Sequence, residues 1–274
     1  SSLIEKEKFW AEKVHSKRKY QVVFSGDSRL YRGIDPKTVS ETLGGLSVLN
    51  FGFSSGGHNN AIFDEINNRL DQKSSLKAVV LVLSPYSLTP KAQQNEHYNQ
   101  EKNRDRKEVF NRRYVKPFFS FLDPIKPSEI IHLKSGQIGY YERFQKDGWV
   151  ASWKIPSDSK TALKGYVKDF EDNTVQNDIL VGVFDQITKW RAMGVQVFAF
   201  RIPSTAEMED LEHELSGYKE AVIRDGVEQA GGKWIDFENR FEYESYDGSH
   251  LTKVSALKLS AQIGNELKKR LKGV

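Results

Sequence analysis

The residues best suited to covalent chemistry lie at opposite ends of the chain. Near the start, Ser25-Gly26-Asp27-Ser28-Arg29 follows the apolar run Tyr20-Gln21-Val22-Val23-Phe24, a turn composition placed directly after a strand pattern. Near the end, Asp247-Gly248-Ser249-His250 comes just before the apolar-periodic segment that closes the chain. A serine hydroxyl is a weak nucleophile until a base takes its proton, and the base is normally an imidazole held in one tautomer by a carboxylate. The i, i+3 spacing of Asp247 and His250 lets a tight turn bring carboxylate and ring together. Ser28, His250 and Asp247 are therefore the candidate nucleophile, base and orienting acid of an acyl transfer. The competing reading is turn and cap chemistry alone, with Asp247 and Ser249 capping a helix near Thr252 and His250 on the surface.

Acyl transfer also needs donors for a developing oxyanion, usually backbone N–H groups close to the nucleophile. Ser28 can offer its own N–H, and Gly52, at the end of the apolar run 48–53, has no side chain to block a close approach. Arg201 follows the run 195–200, where its guanidinium fork could hold an anionic or hydroxyl-rich group; a surface salt bridge is the plainer alternative. Arg29 invites the same substrate-binding role, or points outward to cap the sheet edge.

Such residues need a scaffold that displays them together. The sequence predicts a short amphipathic helix over 4–10, strands over 20–24, 48–53, 77–83, 195–200 and 234–237, and helices over 58–70, 177–193, 205–230 and 252–271. Gly217 is a weak point in the third of these helices. Residues 77–83 are apolar on both faces, as suits the centre of a parallel sheet covered by helices. The alternation implies β-α-β units and a mostly parallel, three-layer α/β sheet of about five strands, with ligands at the carboxyl ends of the strands. Between 90 and 177 the alternation fails, and this stretch reads as a large insertion or cap after the third strand, within a single domain spanning 1–274.

The blocks resemble those of the SGNH, or GDSL, superfamily of esterases and acyltransferases. Gly26-Asp27-Ser28 is similar to its first block, which carries the nucleophilic serine on a flavodoxin-like sheet. Asn50-Phe51-Gly52 resembles the second, whose glycine N–H serves the oxyanion hole, and Asp247-Gly248-Ser249-His250 resembles the final D-x-x-H block. The resemblance covers about 21–89 and 178–271. It implies Ser28 as nucleophile, His250 as base and Asp247 as its partner. One block departs: where the family has Gly-x-Asn-Asp, with the Asn side chain on the oxyanion, this chain has Leu83-Ser84-Pro85-Tyr86-Ser87. Asn59, Asn60, Ser84 and Ser87 are candidate replacements, with Ser84 also a candidate substrate contact, or the hole has backbone donors alone. A similar departure occurs in the subgroup that modifies bacterial surface polymers, the polysaccharide O-acetyltransferases and teichoic-acid D-alanylation proteins. The resemblance implies an ester hydrolase or O-acyl transferase acting on an acylated small molecule, glycan or surface polymer. The alternative is a non-catalytic glycan-binding or accessory protein, with a membrane acyltransferase as partner.

Composition narrows the field further. A chain of 274 residues with 38% hydrophobic residues, 16 Phe, 11 Tyr and 5 Trp folds around a core, which excludes a disordered segment or a disulfide-stapled miniprotein. The absence of cysteine excludes a thiolate nucleophile and a sulfur-ligated metal. His58, His97, His132 and His213 are dispersed, without metal-ligand spacing, and no phosphate-cradling motif is present; the chemistry needs no cofactor. A net charge of +4 does not call for nucleic acid, although 101–116 holds seven Lys and Arg against three carboxylates. That segment suits an anionic polymer or anionic lipid headgroups, or a solvated helix laced by opposite charges. The nearby Phe118, Phe119, Phe121, Tyr140, Tyr141, Trp149 and Trp153 suit a sugar platform or the insertion's own core. Apolar runs such as 78–83 are shorter than the about 18 residues of a membrane span. The chain opens Ser1-Ser2-Leu3 without Met, so an extracytoplasmic or membrane-associated setting is the expectation if an upstream anchor was removed. Oligomeric state is left open.

Overall fold

The computed structural model describes residues 4–120, 139–237 and 239–271. Strands β1 (Val22–Gly26), β2 (Val48–Gly52), β3 (Ala78–Val82), β6 (Gln196–Phe200) and β7 (Lys233–Trp234) form a five-stranded sheet in the order β2-β1-β3-β6-β7, parallel throughout. This is the doubly wound, flavodoxin-like order, with the strand order reversing at β1. The predicted three-layer α/β architecture is the one observed, with the first strand internal.

Strand residues sort to two cores by parity, as the period of two demands. Val23, Val79, Leu81, Val197 and Ala199 face one core, while Val22, Phe24, Val80, Val82, Phe198 and Phe200 face the other. The first face is covered by α1 (Lys6–His15), α4 (Asn60–Arg69) and α10 (Asn177–Ala192), through residues such as Phe9, Phe63, Ile66 and Trp190. The second is covered by α2 (Ser28–Gly33), α3 (Pro36–Thr42) and α13 (Lys253–Arg270), whose Ala256, Leu259, Ile263 and Leu267 recur at helical spacing. Thr252 caps α13 by accepting from the Ser255 N–H, so the cap is one that the Asp-Gly-Ser turn does not supply.

The differences from expectation are local. Tyr20 joins only an isolated bridge to Leu70, while pairing of β1 continues through Ser25 and Gly26. The first helix runs on to His15. The expected helix over 205–230 is two, α11 (Ala206–Leu215) and α12 (Glu220–Gln229), broken where Gly217 takes a positive φ. The last strand is two residues long rather than four.

The 90–177 stretch holds the short helices α5 (Pro90–Gln93), α6 (Glu96–Lys102), α7 (Arg106–Phe110), α8 (Lys116–Ser120) and α9 (Leu163–Asp169), and an antiparallel hairpin of β4 (Gly139–Phe144) and β5 (Val150–Ile155). Phe121, His132 and the side chain of Phe119 lie outside the described residues. The hairpin is built into the body. Trp149 is 2% exposed and donates its indole N–H to the Arg32 carbonyl, and Val150 and Ala151 enter the two cores. Trp149→Ala is therefore expected to cost about 3–5 kcal/mol and to lower the midpoint of a single denaturant transition followed by both circular dichroism and tryptophan fluorescence. Two separated transitions, with the sheet's own midpoint unmoved, would make the insertion an independent cap.

Candidate active site

The exit of β1 passes through Asp27 into α2, and Ser28 is the first residue of that helix. Asp27 caps it by accepting from the Arg29 N–H at 2.9 Å. Ser28 Oγ stands 2.9 Å from His250 Nε2, and His250 Nδ1 stands 2.8 Å from Asp247 Oδ2. The other Asp247 oxygen accepts the backbone N–H groups of Ser249 and His250 at 2.9 and 2.8 Å. One carboxylate thus folds its own turn and fixes the ring. With the Nδ1 proton directed at Asp247, Nε2 is free to accept the Ser28 proton. Residues 222 positions apart in sequence meet in this contact.

Charge and burial set the state of the pair. Burial acts to raise the Asp247 pKa, but hydrogen bonds from the His250 ring and the two N–H groups outweigh it and hold the carboxyl at about 2. Burial disfavours the imidazolium and pulls His250 below its ordinary 6.5. Asp247 opposes that pull, and the guanidiniums of Arg32 and Arg29 add to it. The result is an ionised acid beside a neutral imidazole. The ring is also stacked on Tyr246, with centroids 5.9 Å apart and planes 16° apart. Tyr246 is held in turn by Ser152 Oγ at 3.1 Å and by Arg32, which donates to its hydroxyl at 3.0 Å.

No family model and no curated protein matches the chain. Solved structures do. A lipase/acylhydrolase from Enterococcus faecalis is 14% identical, with 94% of this chain and 98% of that one covered and a TM-score of 0.42. A carbohydrate acetylesterase family member from Sinorhizobium meliloti is 10% identical over 91% and 98% of the two chains, with a TM-score of 0.41. The inhibitor-bound aryl esterase of M. Smegmatis is 11% identical over 91% and 99%, with a TM-score of 0.40.

Around the three central residues, other expected roles change. Gly52 donates its N–H to Asn50 Oδ1 at 3.1 Å, so that donor is already taken. What position 52 requires is the absence of a side chain: a Cβ there would stand 2.9 Å from both the Asp27 carbonyl and the Tyr31 N. Asn59 caps α4 by accepting the Ile62 N–H and donates to the Gln93 carbonyl, which commits both ends of its amide. Ser84 is buried and donates to Asp27 Oδ2, so it braces the turn that carries Ser28. Ser87 donates to the Ser84 carbonyl.

Arg29 and Arg201 are both engaged by a buried carboxylate. Arg29 is 1% exposed, forms a two-pronged pair with Glu212 at 2.7 and 3.2 Å, and donates from Nε to Ser249 Oγ at 3.0 Å. Arg201 reaches the same carboxylate at 2.7 Å and Glu220 at 3.3 Å. A buried guanidinium needs a carboxylate more than the sheet edge needs a free cation, and Glu212, on α11, supplies it. Tyr166, from α9, adds a 2.7 Å contact to Ser249 Oγ. Sequence reasoning did not reach Glu212, Tyr166, Tyr246 or the amide of Asn50. Of these only Asn50 carried a signal, as a polar residue inside an apolar strand.

Arg29 follows Ser28 and Ser249 precedes His250, so their contact links the two halves of the site. Glu212→Ala would leave two buried guanidiniums without their shared carboxylate. We expect a loss of about 3–5 kcal/mol in chemical denaturation. An unchanged midpoint would mean that the junction contributes nothing to the fold.

Proposed function

We propose that the chain is a serine-dependent ester hydrolase or O-acyl transferase of the SGNH type, working through an acyl-Ser28 intermediate. The observation that carries the reading is the continuous hydrogen-bond relay Ser28–His250–Asp247, assembled from the first strand's exit and the last loop. Ser28 Oγ attacks the acyl carbonyl carbon while His250 Nε2 takes its proton. The tetrahedral intermediate collapses as His250 returns that proton to the leaving alcohol, and water or an acceptor hydroxyl then repeats the sequence in reverse on the acyl-serine.

The oxyanion needs two donors, and one is the Ser28 N–H. It belongs to the first turn of α2, for which a helix supplies no acceptor, and no described group accepts it. With Gly52 committed, the second donor in this proposal is the Ser55 N–H. Ser55 is exposed and has φ 51, and no acceptor among the described residues takes its backbone N–H. A Cβ on its neighbour Gly56 would lie 3.0 Å from the Gly26 carbonyl, which puts this turn against the nucleophile's strand.

The acyl group proposed is small, acetyl being the simplest, and its carrier is a glycan or cell-surface polymer, as in the polysaccharide O-acetyltransferases and teichoic-acid D-alanylation proteins that the third block resembles. An accessory role without chemistry would leave the relay without a purpose.

With an aryl acetate as substrate, Ser28→Ala is expected to abolish turnover and acylation by a fluorophosphonate probe, with thermal unfolding nearly unchanged. Equal turnover by the alanine variant would end the assignment. The rate constant kcat/KM should rise through an acid limb whose midpoint lies below 6.5, because burial favours the neutral base. Asp247→Asn should reduce kcat, by up to about 10⁴-fold if the serine-protease precedent holds. It should also move the acid limb further down, since Asp247 is the group that pulls the His250 pKa up. A limb that stayed in place or moved up would show that Asp247 does not act on the base.

A further inference from the structure

Helix α7, the π-turn Asn111–Val115 and α8 follow one another directly over 106–120. No residue of Arg106–Val115 is buried. Phe110, Tyr114 and Phe118, four residues apart, are 58, 53 and 72% exposed, and the first two rings lie 5.2 Å apart. A helix of a globular protein is ordinarily held by an apolar face turned inward. This one is held largely by ion pairs: Arg113 to Glu12 at 3.2 Å and Lys116 to Glu7 at 2.5 Å fasten it to α1, and Arg112 spans to Glu101 on α6 at 3.5 Å. Its aromatic row is turned outward.

Cations outnumber carboxylates along the segment that carries that row. The segment 101–116 holds seven cations against three carboxylates, and Lys102, Arg104, Arg112, Arg113 and Lys116 are ion-paired there. Arg106 and Lys107 are exposed, with no ion-pair partner among the described residues. A groove of about 430 Å³ beside Phe110 and Tyr114 is lined by Lys102, Arg104, Arg106 and Arg113 and by no carboxylate. No helix among the described residues is long and apolar enough to cross a membrane.

We infer that this helical face docks on an anionic lipid bilayer. Phe and Tyr rings suit the boundary between headgroup and acyl chain, and flanking Lys and Arg lie their stems along it while their charged ends meet lipid phosphates. Aromatic rings in a row with cations alongside match that surface, and the exposed Arg106 and Lys107 are placed to meet its phosphates.

The test is co-sedimentation of the whole chain with vesicles of phosphatidylcholine and of phosphatidylcholine mixed with phosphatidylglycerol. We expect binding to the mixed vesicles that weakens with added salt. The double variants Arg106→Glu with Lys107→Glu, and Phe110→Ser with Tyr114→Ser, should each lower the partition coefficient about tenfold or more. Their thermal unfolding should not move, because the changed side chains are not buried. Wild-type protein that stays in the supernatant, equal binding to phosphatidylcholine alone, or double variants that bind like wild type would overturn the inference. So would a dimer in light scattering that the Phe110/Tyr114 variant dissolves, since the face would then belong to a second copy.

Discussion

The site depends on one carboxylate that is wholly removed from water. Glu212 and Arg29 are each 0% exposed in their side chains, and Arg201 reaches the same carboxylate from the exit of β6. Burying such charges is costly unless every partner is in place, so an ion cluster of this kind restricts the packings available more than it adds stability. Here the restriction falls where chemistry is proposed. Arg29 is covalently next to Ser28, and its Nε holds Ser249, which is next to His250. The 2.9 Å separation of serine and imidazole thus rests on a rigid junction just behind it.

The insertion is part of that junction. Asp158 and Ala162 donate their backbone N–H groups to the Tyr246 and Asp247 carbonyls, and Tyr166 contacts Ser249 Oγ. Gly248 lies between the acid and the base with φ 97, and a Cβ there would fall 2.1 Å from the Ser159 carbonyl. Any side chain at 248 would push the insertion off the loop. On the other flank, Ser152 of the hairpin holds the Tyr246 ring on which His250 stacks. Residues 90–177, which break the α/β alternation, thus frame His250 from two sides while the sheet carries Ser28.

This arrangement explains what could be read from sequence. Strand–turn–helix composition at 20–29 and the i, i+3 pair at 247–250 are local signals, and the parity of apolar residues places the strands in one sheet. Arg29 and Arg201 were legible as cations at the sheet's carboxyl edge, but their partner lies 183 positions from Arg29, and no periodicity announces it. Gly52 was legible as a close approach, whereas the fate of its N–H depends on the rotamer of Asn50. The hairpin escaped because its first strand is nowhere fully buried, so β4 carries no clean alternation.

The exit of β3 shows how a changed residue alters the division of labour. Ser84 donates to Asp27 Oδ2, and the other oxygen of Asp27 accepts the Arg29 N–H. A hydroxyl at this position therefore reaches back to the cap of α2, one residue before Ser28, and braces the turn that displays it. An amide side chain is missing from this exit, and in the proposed mechanism polarisation of an acyl carbonyl is assigned to backbone N–H groups. Such donors are fixed in place by the fold and do not reorganise as charge develops. The strength of the proposed chemistry is then governed by how firmly the 25–28 and 53–56 turns are held, and the Ser84–Asp27 bond and the close packing of Gly52 and Gly56 against β1 and its exit hold both.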